Sequence, residues 1–518
     1  MGHKVAMLSG VAAAAVGLGV AELAAGLLVR VTSTAGTPSP LLAVGGAFVD
    51  LTPAWLKDWA VATFGTADKL ALGVGIRLTL IVAAALVGRL GVNSRALALT
   101  LFVLVGLAGL AAVASRPGSN ALDLLPTVLG LAAGLWVLRS LLARLDRPDA
   151  KAVDTPTPSG PLPSRRGVLR AAAGLGALGA VAILAGQTLL RTGRAVGDAV
   201  ANLVLPKPVR TVTVPTDALA TVDGQTPYLT PNADFYRIDT ALFVPQIEPG
   251  TWRLKVTGLV EREIEMNLGE LLEEQHVEAL VTLTCVSNTV GGGLAGNATW
   301  TGWPVRELLA RAGVKPEADM VLSRSVDGFT AGTPLEAMTD DRNALIAVGM
   351  NGTPLPPEHG FPVRLVVPGL YGYVSATKWL TELKVTRFDA DEGYWTPRGW
   401  SALGPIKTAS RIDVPRAGLV SPNAEGNVVV AGVAWAQHRG ISRVEVQVDD
   451  GDWHEAQLLA EPTTDAWRLW SWQWPASPGA HRLTVRATDG TGQVQTADVA
   501  PPAPDGASGR HTVDVRVG

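Results

Sequence analysis

"LTCVSNTVGGGLAGNATWTGWP", residues 283–304, holds the single cysteine of a 518-residue chain. With the residues before it, "EALVTLTCVSN" (278–288) reads as a β-strand rich in Val, Leu and Thr, and it runs into the glycine-rich loop "GGGLAGN" (291–297). A cysteine at the mouth of a strand, followed by backbone that can approach a ligand closely, is placed to present its sulfur. One thiol cannot form a disulfide within the chain. Cys285 is therefore a buried hydrophobe, the commonest state of a free cysteine, half of an intermolecular disulfide, a nucleophile or a metal ligand. A nucleophile wants a base nearby, and none of the seven histidines is close to it in sequence. A soft thiolate on one metal, whose other ligands belong to a cofactor, fits the position better.

Upstream, the composition changes. The first third is mostly Ala, Leu, Gly and Val, whereas from about Leu203 Trp, Pro and charged residues are mixed throughout. Five apolar stretches, at Val5–Val29, Leu70–Val87, Ala96–Ala114, Leu122–Leu142 and Val168–Leu190, are near the ~20 residues a helix needs to cross a bilayer. Arg89 and Arg95, then Arg139, Arg144, Arg147, Lys151, Arg165, Arg166 and Arg170, mark cytoplasmic loops by the positive-inside tendency. Five crossings from a cytoplasmic N-terminus leave everything after residue 190 outside. Within the spans only Glu22 and Arg77 are ionisable functional candidates; Arg77 also reads as a snorkelling side chain. No span contains histidine, so no intramembrane haem is expected. A formal net charge of -3 without a basic stripe argues against nucleic acid.

Ser164-Arg165-Arg166-Gly167-Val168-Leu169, after the Pro- and Ser-containing tether, resembles a twin-arginine export signal, a route for proteins already folded around a cofactor. The same arginines also read as the cytoplasmic end of an ordinary membrane helix.

The stretch around Cys285, "AVGMNGTPLPPEHGFPVRLVVPGLYGYVSATKWLTELKV" (347–385) and "GYWTPRGWSALGPIKTASRID" (393–413) together resemble the sulfite oxidase family of molybdenum enzymes over about Thr230 to Arg411. The resemblance implies one molybdenum–molybdopterin cofactor per chain, with Cys285 as the thiolate ligand of the metal. It places Arg237, Asn288, His359, Arg364, Gly372, Ser375, Thr377 and Lys378 around the pterin and its phosphate, which wants charge-assisted donors and bidentate arginine geometry. Trp400 and Arg398 fall at the substrate side. The sequence departs from the sulfite oxidases where they carry arginines after the cysteine, since Thr289 and Val290 stand there, and where they carry a tyrosine, since Trp400 stands there. After Arg237, where the family has an Asn-His pair, come Ile238, Asp239 and Thr240. A doubly charged oxyanion without its arginine clamp binds weakly. A pocket of Tyr371, Tyr373, Trp300, Trp400 and Val290 suits an uncharged S- or N-oxide.

From about Gly418 the alternation of "NVVVAGVAWAQ" and "ISRVEVQVDDGDWHEAQL", with turn signals at Asp450-Gly451 and Asp489-Gly490, predicts a β-sandwich. The expected chain is thus multi-domain. It begins with an N-terminal α-helical transmembrane bundle (1–145) and a linker with the fifth span (146–195). An α+β molybdopterin domain of sulfite-oxidase type (196–410) follows, then an all-β immunoglobulin-like sandwich (411–518). The expected function is extracytoplasmic, membrane-anchored oxygen-atom transfer on a small molecule, with a separate electron-transfer partner. Sulfite oxidation, or a tethered binding protein on a cofactor-free relic of the fold, are the alternatives.

Overall fold

A computed structural model of the chain describes residues 2–32, 36–53, 56, 59, 63, 68–116, 118–145, 165–191, 194–220, 222–241 and 244–518. The tether between residues 146 and 164, with Ser164 of the arginine motif, lies outside the described residues. Two compact units emerge, Met1–Ala195 with Ala241–Val244, and Val196–Thr240 with Pro245–Gly518.

The first unit contains helices α1 (Gly2–Val31), α2 (Pro40–Leu51), α3 (Asp68–Leu90), α4 (Arg95–Ala114), α5 (Ala121–Leu145) and α6 (Arg165–Arg191). All but α2 are long and apolar enough to cross a membrane. α1 is the central element. It packs on α3, α5 and α6, and small residues permit the approach, since a Cβ on Gly19 would stand 2.6 Å from the Gly179 carbonyl oxygen of α6. Glu22 is fully buried. Its carboxylate accepts from Ser39 Oγ (2.8 and 2.9 Å) and from the Leu41 backbone N–H (3.1 Å). It thus anchors the start of α2, a structural use of the charge. Arg77 donates to Gln187 Oε1 of α6 (3.1 Å) and to the Gly73 carbonyl (3.1 Å).

The second unit opens with α7 (Arg194–Asn202), of which residues 196–202 belong to it. One five-stranded sheet has the order β2-β1-β10-β5-β6, built from β1 (Arg253–Gly258), β2 (Ile264–Asn267), β5 (Met320–Ser325), β6 (Thr330–Pro334) and β10 (Leu380–Thr386). A second runs β3-β4-β7-β8, from β3 (Val277–Thr284), β4 (Ala295–Pro304), β7 (Leu345–Met350) and β8 (Thr353–Pro354), with β9 (Arg364–Val366) also paired to β7. Val281, Leu283, Ala298, Trp300, Leu345, Ala347 and Phe361 form a core on this second sheet. Short helices α8 (Leu268–Leu272), α9 (Val305–Ala312), α10 (Glu336–Thr339) and α11 (Gly372–Ser375) connect the strands.

The C-terminal strands make two further sheets. One is ordered β11-β13-β17-β16, from β11 (Ala409–Val414), β13 (Asn427–Trp435), β16 (Gln457–Leu458) and β17 (Arg468–Pro475). The other is β12-β19-β18-β14-β15, from β12 (Gly418–Val420), β14 (Ile441–Val448), β15 (Trp453–Glu455), β18 (Gly479–Asp489) and β19 (His511–Val517). Val430 and Trp470 of the first and Val444, Leu483, Val485 and Val515 of the second meet in one apolar core, so the strand-rich region is a sandwich.

Asp489, fully buried at the end of β18, ties this region together. It accepts from Arg439 Nε (2.9 Å), Thr408 Oγ1 (3.0 Å), Thr491 Oγ1 (2.7 Å) and the Gln493 N–H (3.0 Å). Burial works against its charge, but these bonds outweigh it and hold the carboxyl at about 2, below the ordinary 3.8. A carboxylate depressed in the folded state stabilises fully above its unfolded value and loses that contribution as the pH falls. The unfolding free energy of the second unit is expected to drop by about 2 kcal/mol between pH 5 and pH 2 through this group alone. Asp489→Asn should flatten that part of a denaturant-unfolding pH profile.

β3 is an edge strand, and edges left open invite foreign pairing. Here the edge is covered from both sides of the sequence. The Glu278 N–H donates to the Arg210 carbonyl (2.8 Å), and the Thr282 N–H to the Asp465 carbonyl (3.0 Å). Gln437 Nε2 donates to the Thr282 carbonyl (2.9 Å) and to Thr284 Oγ1 (3.1 Å).

Candidate active site

Cys285 is the first residue beyond β3, at the turn where the strand becomes the glycine loop. Its N–H donates to the Leu294 carbonyl (2.9 Å), its carbonyl accepts from the Asn288 N–H (3.1 Å), and Asn288 Oδ1 accepts from the Leu294 N–H (2.8 Å). Asn288 therefore closes the loop rather than reaching toward a ligand. Farther along, Arg411 Nη1 of β11 donates to the Gly292 carbonyl (2.8 Å). Gly291, at φ 74°, lies against the imidazole of His511, where any Cβ would collide. The thiol is 8 % exposed, and burial pushes its pKa up.

The sulfur lines a cavity of about 140 Å³ together with His359, Arg364, Gly372, Lys378 and Trp400, all expected from the sequence. Arg364 opens β9 with 4 % exposure. Nη1 donates to the His359 carbonyl (3.0 Å) and Nη2 to the Ala376 carbonyl (3.3 Å), but Nε has no partner among the described residues. Burial lowers its pKa to about 10, which leaves it cationic. Lys378, 9 % exposed, donates to Asp239 Oδ2 (2.8 Å) and to the Glu358 carbonyl (3.2 Å), and burial brings it to about 8. His359 Nε2 lies 2.9 Å from the Asn232 carbonyl, an acceptor only, so this nitrogen carries the proton. Burial, with Arg364 and Lys378 adding to it, lowers His359 to about 4 and keeps the imidazole neutral.

Other expected site residues stand apart from the cavity. Arg237 is paired outside it with Asp239 (2.8 Å) and is 39 % exposed. Ser375 Oγ donates to the Leu370 and Tyr371 carbonyls (3.0 Å each), fastening α11, and Thr377 Oγ1 is bonded to Ser323 Oγ (2.7 Å). Arg398 is folded over the Tyr394 ring (3.8 Å) and bonded to the Tyr394 carbonyl (2.5 Å). Of the aromatic pocket, Tyr373 and Trp400 line the cavity, while Val290 is at the surface. Trp300 is a core residue, fully buried with Nε1 donating to the Val281 carbonyl (3.1 Å), because its place on β4 faces the sheet's own core. Sequence reasoning passed over Tyr236, Asp327, Phe329 and Trp395, which line the cavity, and the ion-pairing role of Asp239. Trp395 was present in the quoted "YWTPRGW"; nothing local marked the others.

Buried cations around a thiol, one with an N–H unpartnered, are costly unless an anionic group completes them. Among the described residues no group of three or more His, Cys, Asp or Glu could hold a bare metal, so a metal on Cys285 must bring further ligands. Residues 241–395 match the oxidoreductase molybdopterin binding domain. Chicken sulfite oxidase is 30% identical over 324 residues, 53% of this chain and 69% of its own length. The chain belongs to the sulfite oxidase family. Mouse mitochondrial sulfite oxidase is 32% identical over 326 residues, so this member spans 58% of that curated relative. The sulfane dehydrogenase SoxCD of Paracoccus pantotrophus aligns over 60% of this chain and 88% of its own, with 24% identity and a TM-score of 0.49. The donors of the cavity fit the cofactor of the molybdopterin binding domain: a soft thiol for the metal, and Arg364 and Lys378 for its phosphate.

Proposed function

We propose that this chain is a membrane-anchored enzyme whose soluble unit lies outside the cytoplasm and transfers an oxygen atom to or from a small uncharged S- or N-oxide. Cys285 would ligate the molybdenum, and Arg364 and Lys378, with neutral His359, would hold the pterin phosphate. When bound, the cofactor supplies a two-electron redox centre that exchanges one oxygen atom with the substrate. The balance is XO + 2 H⁺ + 2 e⁻ ⇌ X + H₂O, with the electrons passing to or from a separate carrier protein. The carrying observation is the charge of the lining. Among the described residues Arg364 and Lys378 are the only cations there, both assigned to the cofactor. Arg398 is committed to Tyr394, and the remaining wall includes Phe329, Tyr373, Trp395 and Trp400. Trp400 contacts Trp395 edge-on (centroids 6.2 Å) and Tyr373 (6.0 Å). Such a wall desolvates apolar substituents and offers a dianion no further cation.

The five apolar helices and the arginine pair before the last of them support the anchored, exported reading. We assign residues 196–410 to the catalytic domain and 411–518 to an immunoglobulin-like one. The test is a substrate comparison on cofactor-loaded protein. Dimethyl sulfoxide or trimethylamine N-oxide should be reduced by an artificial donor with kcat/KM at least about tenfold above that for sulfite oxidation. Preference for sulfite would restore the sulfite oxidase reading.

A further inference from the structure

Tyr236 follows Phe235 and stacks on it (centroids 5.3 Å, 20° between planes). It lines the same cavity as Cys285, Gly372, Trp395 and Trp400. Its hydroxyl can be located from Gly372, the first residue of α11. A Cβ built there would lie 3.7 Å from Tyr236 Oη and 3.7 Å from the carbonyl oxygen of Thr284, the residue before the cysteine. The Oη thus sits beside the strand end that presents the thiol. Tyr236 makes no hydrogen bond with the other described residues, in contrast to Tyr373, whose hydroxyl donates to the Ser401 carbonyl (2.6 Å). Burial, with Cys285 adding to it and against the opposing pull of Arg364, disfavours the phenolate, which keeps the O–H a donor. A donor that lines the cavity with the thiol and meets no acceptor among the described residues is open to an acceptor that a ligand brings.

We propose that the Tyr236 hydroxyl is the hydrogen-bond donor that recognises the oxygen atom of the substrate's S–O or N–O group. The inference rests on the oxide reading above and names the side chain that tells the oxide from its deoxygenated partner. An S-oxide oxygen is a strong acceptor, whereas the corresponding sulfide has no oxygen to offer, so the hydroxyl discriminates between substrate and product by one bond.

The experiment uses the full-length, cofactor-loaded protein and the Tyr236→Phe variant, which keeps the ring and its stacking on Phe235. Binding of dimethyl sulfoxide and of dimethyl sulfide is titrated through tryptophan fluorescence, since Trp395 and Trp400 line the cavity, and molybdenum and pterin are quantified in the same samples. The expected result is about a tenfold loss of sulfoxide affinity, unchanged sulfide affinity, full cofactor content, and a matching rise in KM for the sulfoxide. An unchanged sulfoxide-to-sulfide ratio in an enzyme that turns over oxides overturns the assignment and leaves the oxide reading intact. Equal weakening of both ligands, or loss of molybdenum from the variant, overturns it in favour of a structural tyrosine. A wild-type enzyme that accepts sulfite and no oxide defeats the oxide reading, and this assignment with it.

Discussion

Cys285→Ser should leave a folded protein that has lost its chemistry. The substitution keeps the size of the side chain and every backbone bond around it, so the turn closed by Asn288 and Leu294 persists. What changes is the donor: a hard, weakly acidic hydroxyl replaces a polarisable sulfur that binds soft metals as thiolate. Turnover should fall by at least ~100-fold, the upper end of what is lost when even a residue behind a metal ligand is removed. The cysteine-sulfur part of the charge-transfer absorption should disappear, while thermal unfolding of the cofactor-free protein shifts by only a few degrees. Elemental and pterin analysis beside circular dichroism checks all three. A fully active serine variant would exclude the thiol as a ligand.

Arg364→Met should separate cofactor binding from folding. In the cofactor-free protein this guanidinium is buried, with one N–H unpartnered and a tryptophan ring 4.9 Å from its Cζ. Replacing such a charge by an apolar chain of similar length removes a desolvation cost, as when buried ion pairs are replaced by packed side chains. The apoprotein is expected to be as stable as wild type or more so, by up to about 2 kcal/mol. The loaded protein should release its cofactor about 10- to 100-fold more readily, because a charge-assisted bond to the phosphate contributes roughly 1.5–3 kcal/mol. The opposite signs of the two effects make the pair diagnostic. Urea unfolding of the apoprotein gives one, and pterin retention during dialysis gives the other. A variant destabilised in both states would make Arg364 a structural residue.

The strand with its thiol, the glycine loop and the five apolar helices were readable because each is a local pattern: alternation, small residues, or ~20 apolar residues in a row. His359, Arg364 and Lys378 lie within twenty residues of one another, and their motifs bring them into one cavity with Cys285. Other features required three dimensions. Trp300 looked like a pocket aromatic because adjacent residues suggested it, yet the pleat of β4 turns it into the sheet core. Asp239 stood out only as a departure from the family's pair, and its bond to Lys378 links residues far apart in the chain. Glu22 invited a functional role within an apolar span, and its use in fastening α2 depends on the return of Ser39 and Leu41. Tyr236 carries no signal in sequence at all, because what distinguishes it is a missing partner.

The bracing of the glycine loop by Arg411 and His511 bears on the order of events during biosynthesis. His511 opens the last strand of the chain, so it leaves the ribosome long after Cys285. Until it arrives, the glycine loop lacks the imidazole that lies against Gly291, and the far end of β3 has waited for Gln437 and Asp465 to cover its edge. The loop beside Cys285 is thus braced by residues made long after it, and a chain stalled before them holds the cysteine next to an unbraced loop.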